Sequence, residues 1–382
     1  MKKIVIIGAS EFQNPLILKA KEFGYETHVF AWKDGSVGEK TADYFYDISI
    51  VNKEEIYEKC VGIQPDAVAT IASDLANITV QYLCKKLGLI CNSDKCIENS
   101  TNKYKMRRAL EENGVKVPKY TTIVDIQDKH KIQKFEFPII IKPTDRSGSR
   151  GITKVNNGEE LDYGVEKALK YSFEKAAIVE EYITGDEYSC ETISWKGEHH
   201  ILAITKKFTT GSPKFIETAH IEPANLEKCD IDKVKEEVIK ALDALDIKYG
   251  AAHTEFKISE NGEVRIIEIG SRMGGDCIGS HLVGITTGFD YLKMVIDVAM
   301  GIEPQFDVGC AKRFAAVKFV FEKKDIETLE KIRKECSEDI IYISEIERFD
   351  NREIVDSGSR YGFYIVKGNG YNELLQKLEI FE

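Results

Sequence analysis

Two acidic residues, Glu255 and Glu268, stand on either side of an Asn261-Gly262 pair. Residues 251–258 and 263–269 are rich in β-branched and aromatic side chains, and a two-residue Asn-Gly loop between them pairs 260 with 263, hence 255 with 268. Like charges opposed in this way destabilise a bare sheet. A hard cation between them reverses the sign of that interaction, and Mg2+ is commonly held by one or two carboxylates together with substrate phosphate oxygens. The competing reading is a solvated acidic rim on an edge hairpin. His253 falls two residues before Glu255 on the same strand face, which makes it either a base in the site or a structural hydrogen-bond partner.

Three other stretches carry residues that do chemistry. An apolar strand over residues 137–143 contains Lys142 near its end and runs into Thr144-Asp145-Arg146-Ser147-Gly148-Ser149-Arg150-Gly151, a small-residue loop whose backbone amides can wrap phosphate oxygens; an ordinary turn is the plain alternative. A strand over residues 177–183 ends in Glu180-Glu181-Tyr182-Ile183, and Gly185-Asp186-Glu187 follows. After the acidic hairpin comes Gly270-Ser271-Arg272-Met273-Gly274-Gly275-Asp276, which is either a glycine turn or a pair of amides beside an arginine, a combination suited to an oxyanion.

The elements that must position these residues alternate in type. Residues 1 to about 95 read as strand–helix repeats with strands at 3–8, 26–31 and 66–71, a parallel Rossmann-like unit. Its first turn, Gly8 to Gln13, keeps only the first glycine of a dinucleotide fingerprint, so a substrate-side or structural role is expected. A helix containing Lys103 and Met106, capped near residues 99–101, bridges to the next unit. Residues 188–205 read as a hairpin around Lys196-Gly197, residues 206–221 as a polar, flexible loop of functional length, and residues 231–245 as a helix. Strands near 315–321 and 361–367 close the chain.

With 382 residues and 43% hydrophobic content, two or three domains are expected. A net charge of −11 opposes binding to nucleic acid or an anionic lipid surface. No apolar run approaches the length of a membrane span, and nine cysteines without metal spacing, Cys310 among them, suggest reduced thiols and a cytoplasmic protein without a membrane partner.

Taken in order, Lys103, Lys142 with its glycine loop, Glu180 to Ile183, Glu187, Glu255 and Glu268-x-x-x-Arg272 resemble the ATP-grasp superfamily over nearly the whole chain. The resemblance implies an α/β (α+β) ATP-grasp fold: a Rossmann-like pre-ATP-grasp domain (1–95), an ATP-grasp domain (96–304) with a lid at about 118–183, and a C-terminal subdomain (305–382). It implies that ATP is bound by Lys103, Lys142 and the loop Ser147, Gly148, Ser149 and Gly151, that Glu180, Glu181, Tyr182 and Ile183 line the adenine site, and that Glu187 holds the ribose. Glu255 and Glu268 would carry Mg2+, with Mn2+ as an alternative. Many members have an asparagine metal ligand where this chain has Gly270. The stretch from Gly270 to Asp276 is similar to the branch of L-amino-acid ligases and other amide-forming synthetases, in which Arg272, Gly274 and Gly275 would hold the substrate carboxylate and its acyl phosphate, and Glu217 and His220 would border the amino-acid site.

The expected activity is an ATP-dependent carboxylate–amine ligase with Arg272, Lys142 and Glu268 as catalytic residues and small-molecule acid and amine substrates; a homodimer stays open. Alternatives are an ATP-grasp enzyme acting on bicarbonate, formate or a purine precursor, and a non-catalytic ATP-binding protein. A nicotinamide-dependent dehydrogenase fails for want of the later glycines of the fingerprint.

Overall fold

The computed structural model describes residues 1–306, 313–350 and 352–381; Cys310 lies outside them. Three sheets organise the chain. Strands β1 (Lys3–Ile7), β2 (Glu26–Ala31), β3 (Tyr44–Asp47) and β4 (Ala67–Ala69) form a parallel sheet in the order β3-β2-β1-β4. The chain turns back at β1, so the loops after β1 and β4 open side by side at one end of the sheet, the crevice where open α/β sheets bind ligands.

A small antiparallel sheet follows, built from β5 (Tyr120–Ile123), β6 (Ile139–Pro143), β7 (Thr153–Val155) and β8 (Ala177–Glu181) in the order β5-β8-β6-β7. The helix Leu161–Tyr171 buries Val165 and Ala168 among Ile139, Ile141, Val155 and Val179 of this sheet. Its core is therefore separate from those of the other two sheets.

The third sheet has eight strands: β9 (Asp186–Trp195), β10 (Glu198–Thr209), β11 (Glu217–Glu222), β12 (Gly250–Ile258), β13 (Val264–Gly270), β14 (Phe314–Phe319), β15 (Ile340–Ile343) and β16 (Phe363–Gly368), ordered β13-β12-β9-β10-β11-β14-β16-β15. The helix Lys228–Ala244 packs Val234, Val238 and Leu242 against Ile266 and Ile269 on one face. Strands from the last eighty residues extend the sheet without a break through β11 and β14.

Three expectations change. Residues 206–221 are not one long loop: β10 runs on to Thr209 and β11 begins at Glu217, because Lys206, Lys207 and Phe208 pair with Ile221, His220 and Ala219. Backbone pairing overrides the polar composition that suggested a loop. The acidic hairpin also closes differently. Glu255 and Glu268 are register partners, as read from the sequence, but the turn has three residues: Ser259 N–H donates to Glu263 O (3.1 Å) and Gly262 sits at φ +73°, the arrangement of a three-residue loop with a left-handed third position. That shortens one side of the ladder, and an irregularity between Glu255 and Phe256 skips Ile267 and restores the register. The Lys196-Gly197 hairpin follows the simpler rule, with both turn residues at positive φ (53° and 85°). The bridging helix, Lys103–Glu112, is capped by Asn102 and not within 99–101: Asn102 Oδ1 accepts from the amides of Tyr104 (3.1 Å) and Lys105 (3.0 Å).

Candidate active site

A cavity of about 560 Å³ is walled by residues of the small and the large sheet and by the loops after β1 and β4. On the side of the small sheet it is basic. Lys142, at the end of β6, is 7% exposed, and its Nζ is 2.7 Å from Glu180 Oε2 on β8. Glu180 is itself locked by the fully buried Arg107. Burial alone would raise the Glu180 carboxyl, but Arg107 and Lys142 outweigh it and hold the pKa at about 2. Lys103 Nζ donates to Arg146 O (2.7 Å) and to Glu268 Oε1 (2.7 Å), so one ammonium ties the loop after β6 to the acidic hairpin. That loop leans over the cavity, where Ser149 Oγ donates to Phe215 O (2.8 Å) and Arg150 Nε approaches Asp356 (3.5 Å).

Along the floor the charge alternates. Lys207 is buried and faces three carboxylates, with Glu255 in direct contact, Glu217 at 3.6 Å and Glu187 at 3.7 Å. Burial opposes its charge, but the three carboxylates hold the ammonium well above the ordinary lysine value. His253 sits between Glu191, in direct contact at Nδ1, and Glu255, 3.4 Å from Nε2. Burial would lower its pKa; Glu191, seconded by Glu255, pushes it up to about 9, so the ring is an imidazolium near neutral pH.

At the far end two arginines are each paired with an aspartate from another segment. Arg272 Nη2 donates to Asp74 Oδ2 (2.9 Å) and its Nε lies 2.9 Å from Oδ1, joining the turn after β13 to the helix that follows β4. Arg360 donates from Nη1 (2.9 Å) and Nη2 (2.8 Å) to Asp276 and lies 3.6 Å over the Phe319 ring. Asp276 and Cys277 both have positive φ (51° and 64°), a strained turn of the kind found at sites. His220, next to Asp276 (3.7 Å), has its pKa lowered by burial despite that carboxylate.

A family model described as an ATP-grasp domain matches residues 135–280. Alanine–anticapsin ligase of Bacillus amyloliquefaciens is 29% identical over 273 residues, 64% of this chain and 57% of the ligase. The chain thus spans little more than half the length of the first of these curated relatives. The carbamoyl phosphate synthase large chain of Caldanaerobacter subterraneus is 26% identical over 263 residues, 68% of this chain and 24% of that one. Among solved structures, an L-amino acid ligase from Bacillus licheniformis superposes with a TM-score of 0.84 at 21% identity, covering 99% of this chain and 96% of that one. The phosphoribosylglycinamide synthetase of Anaerococcus prevotii gives 0.77 at 23%, covering 99% and 97%. Residues 135–280 thus match an ATP-grasp domain, and the chain has the ATP-grasp fold. Its three sheets have the ATP-grasp arrangement, with the cavity between the small sheet and the large one.

Of the residues singled out from the sequence, Lys103, Lys142, Ser147, Gly148, Ser149, Glu180, Glu181, Tyr182, Ile183, Glu187, Glu217, His220, Glu255, Glu268, Arg272 and Gly275 all line the cavity. Two glycines do not. The Gly151 backbone, at φ +74°, packs where a Cβ would meet Pro143 and Tyr171 at 2.9 Å, so it shapes the loop from behind. Gly274 cannot offer its amide to an oxyanion, because that N–H donates to Glu191 Oε2 (3.0 Å). Glu180 is engaged by Arg107 and Lys142, one at each carboxylate oxygen, and is a brace for Lys142. The Glu181 carboxylate accepts from Lys119 N–H (3.0 Å) and Arg265 (2.9 Å).

The sequence reading missed Arg107, Lys207, Asp74, Asp276 and Arg360. Lys207 had no local signal, since it stands in the polar run Thr205-Lys206-Lys207-Phe208-Thr209. Arg360 had none, because its partner is 84 residues away. The fit to a divalent cation rests on Glu255 and Glu268 alone. Among the described residues no group of three or more His, Cys, Asp or Glu could form a metal cage. Two opposed hard-oxygen donors lining the same cavity as Lys103 and Lys142 still suit a cation that completes its shell with phosphate oxygens.

Proposed function

We propose that this chain is an ATP-dependent carboxylate–amine ligase acting on amino acids. The observation that carries the reading is the register-opposed pair Glu255 and Glu268, set in one cavity between Lys103 and Lys142 on one side and Arg272 on the other. Relatives named as alanine–anticapsin ligase support it. In this reading Lys103, Lys142 and the loop Ser147–Gly148–Ser149 hold the ATP phosphates, the chain from Glu181 to Ile183 borders the adenine, and Glu187 takes the ribose hydroxyls. Tyr182 contributes a ring face already covered by Lys154 (4.0 Å).

The substrate carboxylate, anchored by Arg272, attacks the γ-phosphorus. The Pγ–O bond to ADP breaks and an acyl phosphate forms. A divalent cation on Glu255 and Glu268 supplies neutralisation of the β- and γ-phosphate charge during this transfer. The amine then adds to the acyl carbon, the tetrahedral adduct expels phosphate, and the amine proton passes to solvent, leaving an amide. Gly275, whose backbone lines the cavity, is the remaining amide candidate beside the oxyanion. Lys207 and His253 keep Glu255 ionised, and no protein nucleophile is required.

The test is ADP release from Mg-ATP against amino acids singly and in pairs, with mass spectrometry of positive mixtures. Release that needs a pair, with a product of their summed mass less water, supports the ligase. Release with bicarbonate or another carboxylate alone overturns the amino-acid assignment, and binding of ATP without turnover overturns the enzyme.

A further inference from the structure

The turn from Gly270 to Gly275 is gripped by the N-terminal domain and the helix Asp94–Thr101 at several points. Asn77 Nδ2 donates to Ser271 O (2.9 Å) and Oγ (3.0 Å), Ser100 Oγ lies 2.9 Å from Ser271 Oγ, and Ala72 N–H donates to Met273 O (3.1 Å) from a backbone held at φ +61°. Asp74 adds the charged contact. It is the first residue of the helix Asp74–Leu87, and it faces the Nε–Nη2 edge of Arg272, while Arg272 Nη1 donates to Met273 O (3.3 Å). A guanidinium has five N–H groups. Asp74 occupies the Nε–Nη2 side, so a second carboxylate would meet the guanidinium at its Nη1–Nη2 end edge.

Gly270 is part of the same device. A Cβ there would come within 2.6 Å of Asp74 Oδ1 and 3.0 Å of Arg272 Cζ, so a side chain at position 270 would push these two side chains out of their present pairing. The glycine that removes an asparagine from the acidic hairpin therefore makes room for an aspartate brought in from another domain.

We propose that Asp74 is a positioning residue for acid activation: it holds the Arg272 guanidinium side-on from the N-terminal domain, so that the end edge is presented to the substrate carboxylate. This rests on Arg272 being the carboxylate anchor of the proposed ligase. Asp74 touches no reacting atom; it sets the orientation of the group that does. The competing role is merely that of an acid in the first turn of a helix, where a negative charge is worth little.

Asp74→Asn keeps the shape and the helix start. With acid varied at saturating Mg-ATP, its kcat/KM for the acid is expected to fall about 10- to 100-fold, the scale of one charge-assisted hydrogen bond, with KM for ATP within about twofold of wild type. The same substitution in an Arg272→Lys background should cost little more, and Gly270→Ala should reproduce the loss without changing either charge. Equal losses in both backgrounds, or a loss carried by KM for ATP, would overturn the proposal. If wild type releases no ADP with any acid, the ligase reading fails by itself, and a crystal structure of Asp74→Asn then decides the positioning role. An Arg272 guanidinium turned away from the cavity supports it, and one unmoved overturns it.

Discussion

Charge at single residues is compensated almost everywhere in the cavity, yet the compensation is uneven. Lys103 leaves Glu268 a quarter exposed on its side chain, accessible to a cation that would displace the ammonium toward phosphate. Glu268→Gln is therefore expected to lower ATP turnover by about 100-fold or more while shifting Tm by only a few degrees, since a partly exposed carboxylate is not a packing residue; wild-type turnover would remove Glu268 from the metal site. A second carboxyl, Glu222, lies outside the cavity wall and is fully buried, accepting from the hydroxyls of Thr205 (2.7 Å) and Thr286. Burial pushes its pKa up to about 8 from 4.5. The folded state keeps that proton between pH 4.5 and about 8 while the unfolded chain loses it, so the stability it contributes is fully present below 4.5 and is lost as pH rises toward 8. Glu222→Gln should show a smaller fall in Tm from pH 5 to pH 8 than wild type, in scanning calorimetry at matched ionic strength; parallel curves would mean that Glu222 is ionised in the fold.

At the level of elements, close approach of backbones decides what the sequence tolerates. Gly185, between β8 and β9, has φ +113°, and a Cβ there would lie 2.2 Å from Ile258 O. Ile258 cannot retreat, because it pairs with Asp186 in the sheet. Gly185→Ala is expected to cost about 2 kcal/mol or more, seen as a Tm lower by several degrees, together with weaker nucleotide binding because the same turn sets Glu187 against Tyr182 and Ile183. The acidic hairpin teaches the complementary point. Its pairing of Glu255 with Glu268 was legible from strand composition and an Asn-Gly turn, but it is reached through a three-residue loop and a compensating irregularity at Ile267. The register is held by the buried face, where Phe256, Ile266 and Ile269 must all meet the core.

Across the whole molecule the cavity is assembled from segments far apart in the chain, and the C-terminal residues are part of that assembly. β14 covers the edge of β11, and Arg360 brings the segment before β16 to Asp276. A chain ending at residue 304 would expose a strand edge in the middle of the large sheet. It is expected to be recovered insoluble or aggregated, and a monodisperse, nucleotide-binding fragment of that length in size-exclusion chromatography would show that the large sheet is complete without its last strands. The loop after β6 meets both Phe215 and Asp356, so any opening of the small sheet must break contacts to two other parts of the molecule.

The sequence by itself determined the alternation of strands and helices in the first ninety-five residues, the acidic pair, Lys142 with its small-residue loop, and the arginine after Glu268, because each depends on local pattern and short spacing. Tertiary structure decided the rest. Only folding shows that Glu180 braces Lys142 through Arg107, that the Gly274 amide is spent on Glu191, that Lys207 stands among three carboxylates, and that Asp74 and Asp276 answer the two arginines. These are pairings between charges that burial would otherwise penalise. Their partners lie between 10 and 198 residues apart, on different elements whose meeting local spacing does not encode.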